Sequence, residues 1–365
     1  EISACLVGSE MCIRDSPSTM ANDDLGWERT RQYNLGFELG LFNNRIRLEG
    51  DFYDSQSIDL LLNVPVPTIT GYSTQMQNIG KVQNRGMEFT LNTKNLTGEF
   101  AWSSNFNISF NKNKVLEVGV DGRPIYGSAA NANNAFITKP GYPIASFYGY
   151  KYIGVFQSEE EWAKYPQLSG DKVGDGRYED VNKDGVLDQN DKTILGDNNP
   201  LFTAGFSNSF SYKNFTLDIQ FTGSYGAEVF SFYKRMCGIY HGDRNGMIEQ
   251  LGRWQSKDQP GDGIHFRPTR TPSGWQRDPS SAWVQDASYL RLRNLTLGYN
   301  FDQKVLDKMK MKGLRLYVTG QNLFTITNYV GYDPETSSES GLAQGGDYLG
   351  YPAARSFIIG ANITF

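Results

Sequence analysis

The residues with the clearest capacity for chemistry lie between Asp180 and Asp191, in the order D-V-N-K-D-G-V-L-D-Q-N-D. Asp180, Asn182 and Asp184 take positions 1, 3 and 5 of a calcium loop, Gly185 position 6, the Val186 carbonyl position 7, Asp188 position 9 and Asp191 position 12. Hard oxygen donors set around a glycine turn are what a calcium ion needs. Position 12 carries Asp in place of the usual Glu, so bidentate closure requires the loop to draw in by about one methylene. Tyr178 before the loop and Thr193, Ile194 and Leu195 after it read as extended, not helical. A structural calcium is the expectation, against the alternative of an acidic surface loop that stays empty; no other cofactor is required.

Enzymatic groupings are weaker. His241 and His265 are the only histidines, and Gly- and Pro-bearing sequence separates them without the i, i+4 spacing of a helical zinc site. There is no G-x-S-x-G elbow, and Gly174, Gly176 and Gly185 lack the G-K-[ST] ending of a phosphate loop. Glu159, Glu160 and Glu161 beside Trp162 read as a solvated turn rather than an acid/base pair. The chain is not expected to be an enzyme.

The elements that must carry these loops are strands. Aromatic residues make up 13% of the 365, with 21 Tyr, 22 Phe and 39 Gly, yet no window approaches the roughly 20 apolar residues of a membrane helix. Any membrane span is therefore β. A net charge of −5 argues against a nucleic-acid partner. Cys5, Cys12 and Cys237 give neither a disulfide framework nor a C-x-x-C metal knuckle.

Tyr33, Leu35, Phe37, Leu39 and Leu41 alternate with polar or small residues, and the turn Phe42-Asn43-Asn44-Arg45 leads to Ile46, Leu48 and Phe52, a hairpin pattern. Met87 to Leu91 pairs with Phe100 to Phe110 through Lys94–Gly98, and Phe202 to Tyr212 with Phe215 to Tyr225 through Lys213-Asn214. Tyr289 to Phe301 pairs with Leu314 to Asn328 across Asp302–Gly313. A phase slip near Arg293-Asn294 predicts a bulge. About nine strands of about ten residues result, the length a tilted strand needs to cross a bilayer. Short turns alternate with long connections at Leu60–Gln77, Lys114–Pro200, Ala227–Ser288 and Val330–Ala353, with Phe147–Phe156 assigned to an outer loop. The last strand puts Phe357, Ile359, Ala361, Ile363 and Phe365 on one face and ends on an aromatic, the look of a closing outer-membrane strand facing lipid. Residues 1–16 lack the marks of a signal peptide and read as a non-native, adapter-like segment, leaving 17–365 as part of a longer barrel.

Ordered motifs support this. They include Leu25-Gly26-Trp27-Glu28, Asn78-Ile79-Gly80-Lys81-Val82, Asn84-Arg85-Gly86-Met87-Glu88-Phe89 and Gly141-Tyr142-Pro143-Ile144 with Ser146-Phe147-Tyr148-Gly149-Tyr150. Asp180-Val181-Asn182-Lys183-Asp184-Gly185, Asn199-Pro200, Ser288-Tyr289-Leu290-Arg291-Leu292, Gly320-Gln321-Asn322-Leu323-Phe324 and Gly331-Tyr332-Asp333-Pro334-Glu335 follow in order. In these the chain resembles the SusC/RagA family of TonB-linked outer-membrane transporters. The resemblance implies an all-β fold, the C-terminal part of an antiparallel transmembrane barrel of about 22 strands, with the plug domain lying outside this sequence. It further implies import of oligosaccharides or peptides with a SusD-like surface lipoprotein as lid, energy from the TonB complex, and outer-membrane lipid around the wall.

Tyr126, Tyr142, Tyr148, Trp254, Trp275, Trp283 and Tyr332 fall in the expected outer loops, where rings could stack on sugars or on the lid or simply pack the loops together. Arg45, Arg47, Glu49, Asp51, Arg291, Arg293 and Arg315 are expected to face the lumen. The rival reading is a soluble, secreted all-β carbohydrate-binding or carbohydrate-active protein whose aromatic rows are sandwich core. The two differ in which face of the hairpins is dry.

Overall fold

The computed structural model describes residues 19–119, 122–129, 132–238, 245–268, 278–335 and 341–365; the expected segment 1–16, His241 and Trp275 lie outside them. Nine long strands form the wall: β1 (Arg29–Leu41), β2 (Ile46–Pro65), β3 (Thr74–Thr97), β4 (Phe100–Glu117), β5 (Phe202–Tyr212), β6 (Phe215–Tyr225), β7 (Tyr289–Asn300), β8 (Gly313–Thr327) and β9 (Ser356–Thr364). Each pairs antiparallel with its neighbours in chain order, so the sheet runs β1 to β9 without a crossover. A two-residue strand, Thr19–Met20, joins β3 in parallel at Thr74 and Gln75.

The tight turns follow from residues that tolerate left-handed backbone. Phe42, Asn43 and Asn44 have φ of 52°, 56° and 59°, and the Arg45 amide donates to the Phe42 carbonyl. The β5–β6 link is the two residues Lys213 and Asn214, with Tyr212 opposite Phe215. Two expectations change. The β3–β4 turn is shorter than Lys94–Gly98, because pairing continues to Thr97 opposite Ala101 after a bulge between Lys94 and Leu96. Leu60–Gln77 is not a long loop: β2 runs to Pro65 and β3 starts at Thr74, with register shifts around Leu60. The run Leu60-Leu61-Leu62 hides alternation, and the bulges restore pairing above the membrane span. The bulge near Arg293 is present: Leu292 faces Phe221 and Asn294 faces Gln220, leaving Arg293 unpaired in the ladder.

The two faces of the wall are of opposite character. Leu39, Leu48, Leu91, Phe106, Phe206, Phe221, Leu292 and Phe324 make one continuous cross-strand row, and Leu217, Leu297, Val318 and Ile359 make another. Apart from the buried Leu292, these residues are half-exposed or exposed on the outside; Ile359 is 84% exposed. The soluble-sandwich alternative would seal them under a second sheet, and among the described residues no such layer covers them. Aromatic pairs gather near the short-turn end, where Trp102 stacks on Phe210 at 5.8 Å and Phe215 meets Tyr299 at 4.9 Å. This is the girdle of a barrel at a membrane interface.

The dry interior lies instead in the long connections. Phe136, Phe147, Phe230, Phe232, Val155, Phe266 and Trp283, drawn from the 118–201 and 226–288 connections, bury one another with Ala343 from the 328–355 connection. A four-stranded sheet of Ile125–Ala129, Ala132–Thr138, Ser146–Gly149 and Thr193–Gly196 frames this core. Phe147–Phe156 belongs to this cap, since Ser146–Gly149 and Tyr152–Val155 pair outside the wall. Val115, Val118 and Ile125 pack with Val82 to join the cap to the top of β3 and β4.

Candidate functional site: the inward wall and the outer cap

The inward face is built from the alternate residues of the same strands. Thr216, Asp218 and Gln220 of β6 face Gly298, Thr296 and Asn294 of β7, and Thr296 and Thr319 share a hydroxyl hydrogen bond of 2.8 Å. Amide side chains bridge strands as well: Asn105 donates to Asn92 at 2.6 Å and Asn113 to Asn84 at 2.9 Å. Arg47 stands between Glu38 and Glu49 at 3.0 and 2.7 Å, which offsets two acids that face each other across β1 and β2. Asp51 is paired to Glu88 by register. Gly86 lets Tyr53 cross this face; a Cβ there would lie 2.5 Å from the ring carbon bearing the hydroxyl, which donates to Asn111. Arg45 does not face the lumen. It sits in the turn and donates to the Lys94 and Asn95 carbonyls, clamping β3 to the β1–β2 hairpin.

Where the wall meets the cap, two of the motifs join. Arg291 on β7 is almost wholly buried and donates to Asp333 at 2.5 Å, to Glu335 at 2.6 Å and to Thr325 at 2.8 Å. The bulged Arg293 reaches the other oxygen of Glu335. Burial works against an ionised Asp333, yet hydrogen bonds from Arg291 and from the amides of Ala353 and Glu335 hold its carboxyl below the usual range. Tyr329 donates to Asp347 beneath this cluster. The 328–355 connection is thus pinned to the wall near its start by these ion pairs and near its end by the Asn322 side chain of β8, which donates to the Ala354 carbonyl at 3.0 Å. Sequence reading singled out both motifs without joining them; an ion pair of this separation has no local signature.

The expected aromatic contacts divide. Tyr126 and Tyr148 pack together with centroids 5.7 Å apart, and Tyr332, 65% exposed, stacks on Tyr233 at 5.9 Å. Tyr142 lies under the Lys139 ammonium at 4.6 Å. Trp254 is part of the cap's packing, against Gly174 and the main core. Trp283 is 4% exposed and meets Phe266 edge-on, so its faces belong to the core and not to a ligand. Among the described candidates, Tyr126, Tyr142 and Tyr332 present open ring surface.

The acidic loop folds as a chain of side-chain turns. Asp180 accepts from the amides of Lys183 and Gly185 at 2.6 and 2.9 Å, Asn182 from that of Asp184, and Asp184 from that of Val186. Lys183 and Gly185 take left-handed φ of 61° and 82°. Asp191 is fully buried and accepts from the amides of Val181 and Asp188, at 2.9 and 2.8 Å. The sharp turn and oxygen donors suit a calcium ion. As folded, however, the oxygens of Asp180 and Asp191 are directed at backbone amides, and among the described residues no three acids, His or Cys converge as ligands. Flanking helices are absent: Asp180 follows the strand Gly176–Tyr178, and a short turn of 3-10 helix, Gln189–Asp191, ends the loop.

A second acidic pair was not anticipated from sequence. Asp171 and Asp175 are buried in the cap; burial pushes Asp171 up to about 7, with the neighbouring Asp175 adding to the effect. Asp175 is raised by burial too, although Arg267 lies 2.8 Å away.

An open-ended β wall, dry outside, wet inside and roofed by packed loops, defines a segment of an outer-membrane barrel. The sequence profile described as "TonB dependent receptor-like, beta-barrel" matches residues 13–323. TonB-dependent receptor P3 of Formosa agariphila is 37% identical over 94% of this chain and 35% of its own length. TonB-dependent receptor SusC of Bacteroides thetaiotaomicron is 30% identical over 94% of this chain and 32% of its own. The RagAB peptide transporter superposes with a TM-score of 0.79 at 24% identity, covering 95% of this chain and 36% of that one; the "open-open" RagAB importer gives 0.73 at 26%. The chain belongs to the SusC/RagA family of TonB-dependent outer-membrane receptors and spans about a third of the length of the curated relatives it matches.

Proposed function

We propose that this chain supplies the C-terminal wall and outer cap of a TonB-linked importer for oligosaccharides or peptides, working beneath a SusD-like surface lipoprotein. The observation that carries the proposal is the inward face: a continuous polar surface, with amide, hydroxyl and charged groups at every level, leading to a cap that presents Tyr126 and Tyr332. Such a surface suits a hydrated, hydrogen-bonding cargo and would reject an apolar one. Likeness to the RagAB peptide transporter is consistent with a peptide cargo, and aromatic faces among polar groups suit sugars equally well. Energy would come from the TonB complex acting on a plug contributed by the rest of the receptor.

The test uses the full-length receptor in its host. Uptake of fluorescent peptides and of oligosaccharides is compared between the parent strain, a deletion strain and a strain carrying Tyr332→Ala, and the receptor is purified to ask whether a surface lipoprotein accompanies it. Loss of uptake for one cargo class on deletion supports import; unchanged uptake of every cargo would refute it. We also propose that Asp180, Asn182, Asp184, Asp188 and Asp191, with the Val186 carbonyl, hold a structural calcium once Asp180 and Asp191 turn part of their oxygens inward. Terbium luminescence of the full-length receptor, sensitised from Tyr178 and displaced by calcium, tests it.

A further inference from the structure

Just above the apolar band, the outward surface of β1–β4 changes character within one residue step. The highest fully apolar level there is Leu35, Phe52, Met87 and Phe110, neighbours by register across four strands. One step up the same outward face stand Tyr33, Asp54, Arg85 and Lys112, and the next step adds Arg31 and Lys114. The first two levels and Lys114 line an open groove of about 930 Å³, bounded above by Gly141, Pro143 and the Asp197–Leu201 segment, with Arg31 beside it.

The charges in the groove do not balance. Asp54 is committed to Arg85 at 2.6 Å and to Gln83, and Asp197 accepts from the amide and side chain of Asn199. Arg31 lies over the Tyr33 ring. Lys112 and Lys114 are exposed and have no ion-pair partner among the described residues. Two free ammonium groups, two residues apart on one strand, lie on the same face, so they sit about 7 Å apart along the chain direction. That face is the one turned to lipid, at the end of the barrel where the long loops lie.

We propose that this groove binds a phosphorylated lipid of the outer leaflet, with its acyl chains along Leu35, Phe52, Met87 and Phe110 and its phosphates on Lys112 and Lys114. The argument is complementarity of both kinds in register with the membrane. An apolar floor takes the chains, and a cationic rim at headgroup height takes the anion; each interfacial cation adds to the attraction for an anionic lipid. A soluble phosphate would use the rim alone and gain nothing from the floor. A lipid without phosphate would use the floor alone. The occupant is therefore an amphiphile carrying both, and it would seat the cap against the wall at the point where Gly141 and Tyr142 pair with Val115.

The experiment is native mass spectrometry of the full-length receptor in detergent, titrated with bisphosphorylated lipid A, with diacylglycerol of matched chain length, which carries no phosphate, and with inorganic phosphate. The parent protein is compared with Lys112→Gln/Lys114→Gln, and with Lys304→Gln/Lys308→Gln, which removes two exposed cations at the opposite end. Heat-modifiable migration on gels checks that each variant is a folded barrel. Retention of the phosphorylated lipid, weakened about tenfold or more by the first pair and unchanged by the second, is expected. Equal binding of diacylglycerol, displacement by inorganic phosphate at similar concentration, or equal loss in both double variants would overturn the proposal.

Discussion

Arg291 and Asp333 lie forty-two residues apart and meet at 2.5 Å, with both side chains almost fully withdrawn from solvent. One stands on a wall strand and the other in the last outer connection. Glu335 and Arg293 extend the contact into a network of two cations and two carboxylates. Formal charge is balanced, and the amides of Ala353 and Glu335 take up further acceptor capacity on Asp333. The wall and cap are thus joined by a device that tolerates no single deletion.

Replacing Arg291 by Met leaves Asp333 and Glu335 facing a buried site with one cation gone. The expected cost is about 3–5 kcal/mol, felt first in the 328–355 connection. Hydrogen exchange of the full-length receptor should show that connection opening while β5 and β6 stay protected. Arg291→Lys should restore only part of the protection, because a single ammonium cannot serve both carboxylates and Thr325 in the geometry that the guanidinium does.

Adjacent residues at the middle of β6 should respond oppositely to charge. Ile219 belongs to the outward face and Gln220 to the inward one. Ile219→Arg should destabilise the barrel by about 2–4 kcal/mol, as for a cation at the bilayer midplane, whereas Gln220→Arg should cost little. Urea unfolding of the full-length protein in bilayers, followed by tryptophan emission, measures both.

The cap should loosen as pH rises. Burial raises Asp171 to about 7 in the folded protein, so the folded state holds its proton more tightly than the unfolded chain does. The associated stability is complete below about pH 4, declines as pH climbs toward 7 and is lost above it. Asp171 accepts a hydrogen bond from the Leu168 amide, and its other oxygen lacks a partner, which a proton would supply. Exchange rates across residues 157–175, corrected for intrinsic pH dependence, should therefore rise between pH 5 and pH 8. Asp171→Asn should flatten the profile.

Asp191 organises the acidic loop through backbone donors, whatever ion the loop holds. Asp191→Ala would leave the amides of Val181 and Asp188 without their acceptor in a part-buried setting, at a cost of about 1–3 kcal/mol in all. Protease cleavage between residues 180 and 192 should accelerate in that variant, with the wall unaffected.

The wall was legible because alternation is a local property. Each of Thr216, Asp218, Gln220 and Thr222 announces its face by its neighbours, and even the bulge at Arg293 showed as a slip in that rhythm. Leu60-Leu61-Leu62 defeated the same reasoning, because three apolar residues in succession carry no parity, and the strand was read as ending where it continues. The cap was less legible. Phe136, Phe147, Phe230 and Trp283 come from different connections and form one core only after the barrel has brought them together. A tryptophan destined for that core, such as Trp283, looks in sequence like one destined for a ligand, as Tyr332 remains placed to be. Arg45, flanked by a turn, took a carbonyl-clamping role that charge patterning does not reveal.

The central claim is that the apolar rows face lipid and the polar rows face water. Single cysteines carrying nitroxide labels at Leu217, Leu297 and Val318, and at Asp218, Thr296 and Thr319, in the full-length receptor in bilayers, measure it through relaxation by oxygen and by a water-soluble nickel complex. The first set should be relaxed by oxygen and shielded from nickel, and the second set the reverse. Nickel access at Leu217, Leu297 and Val318 with oxygen confined to the other three would contradict the account.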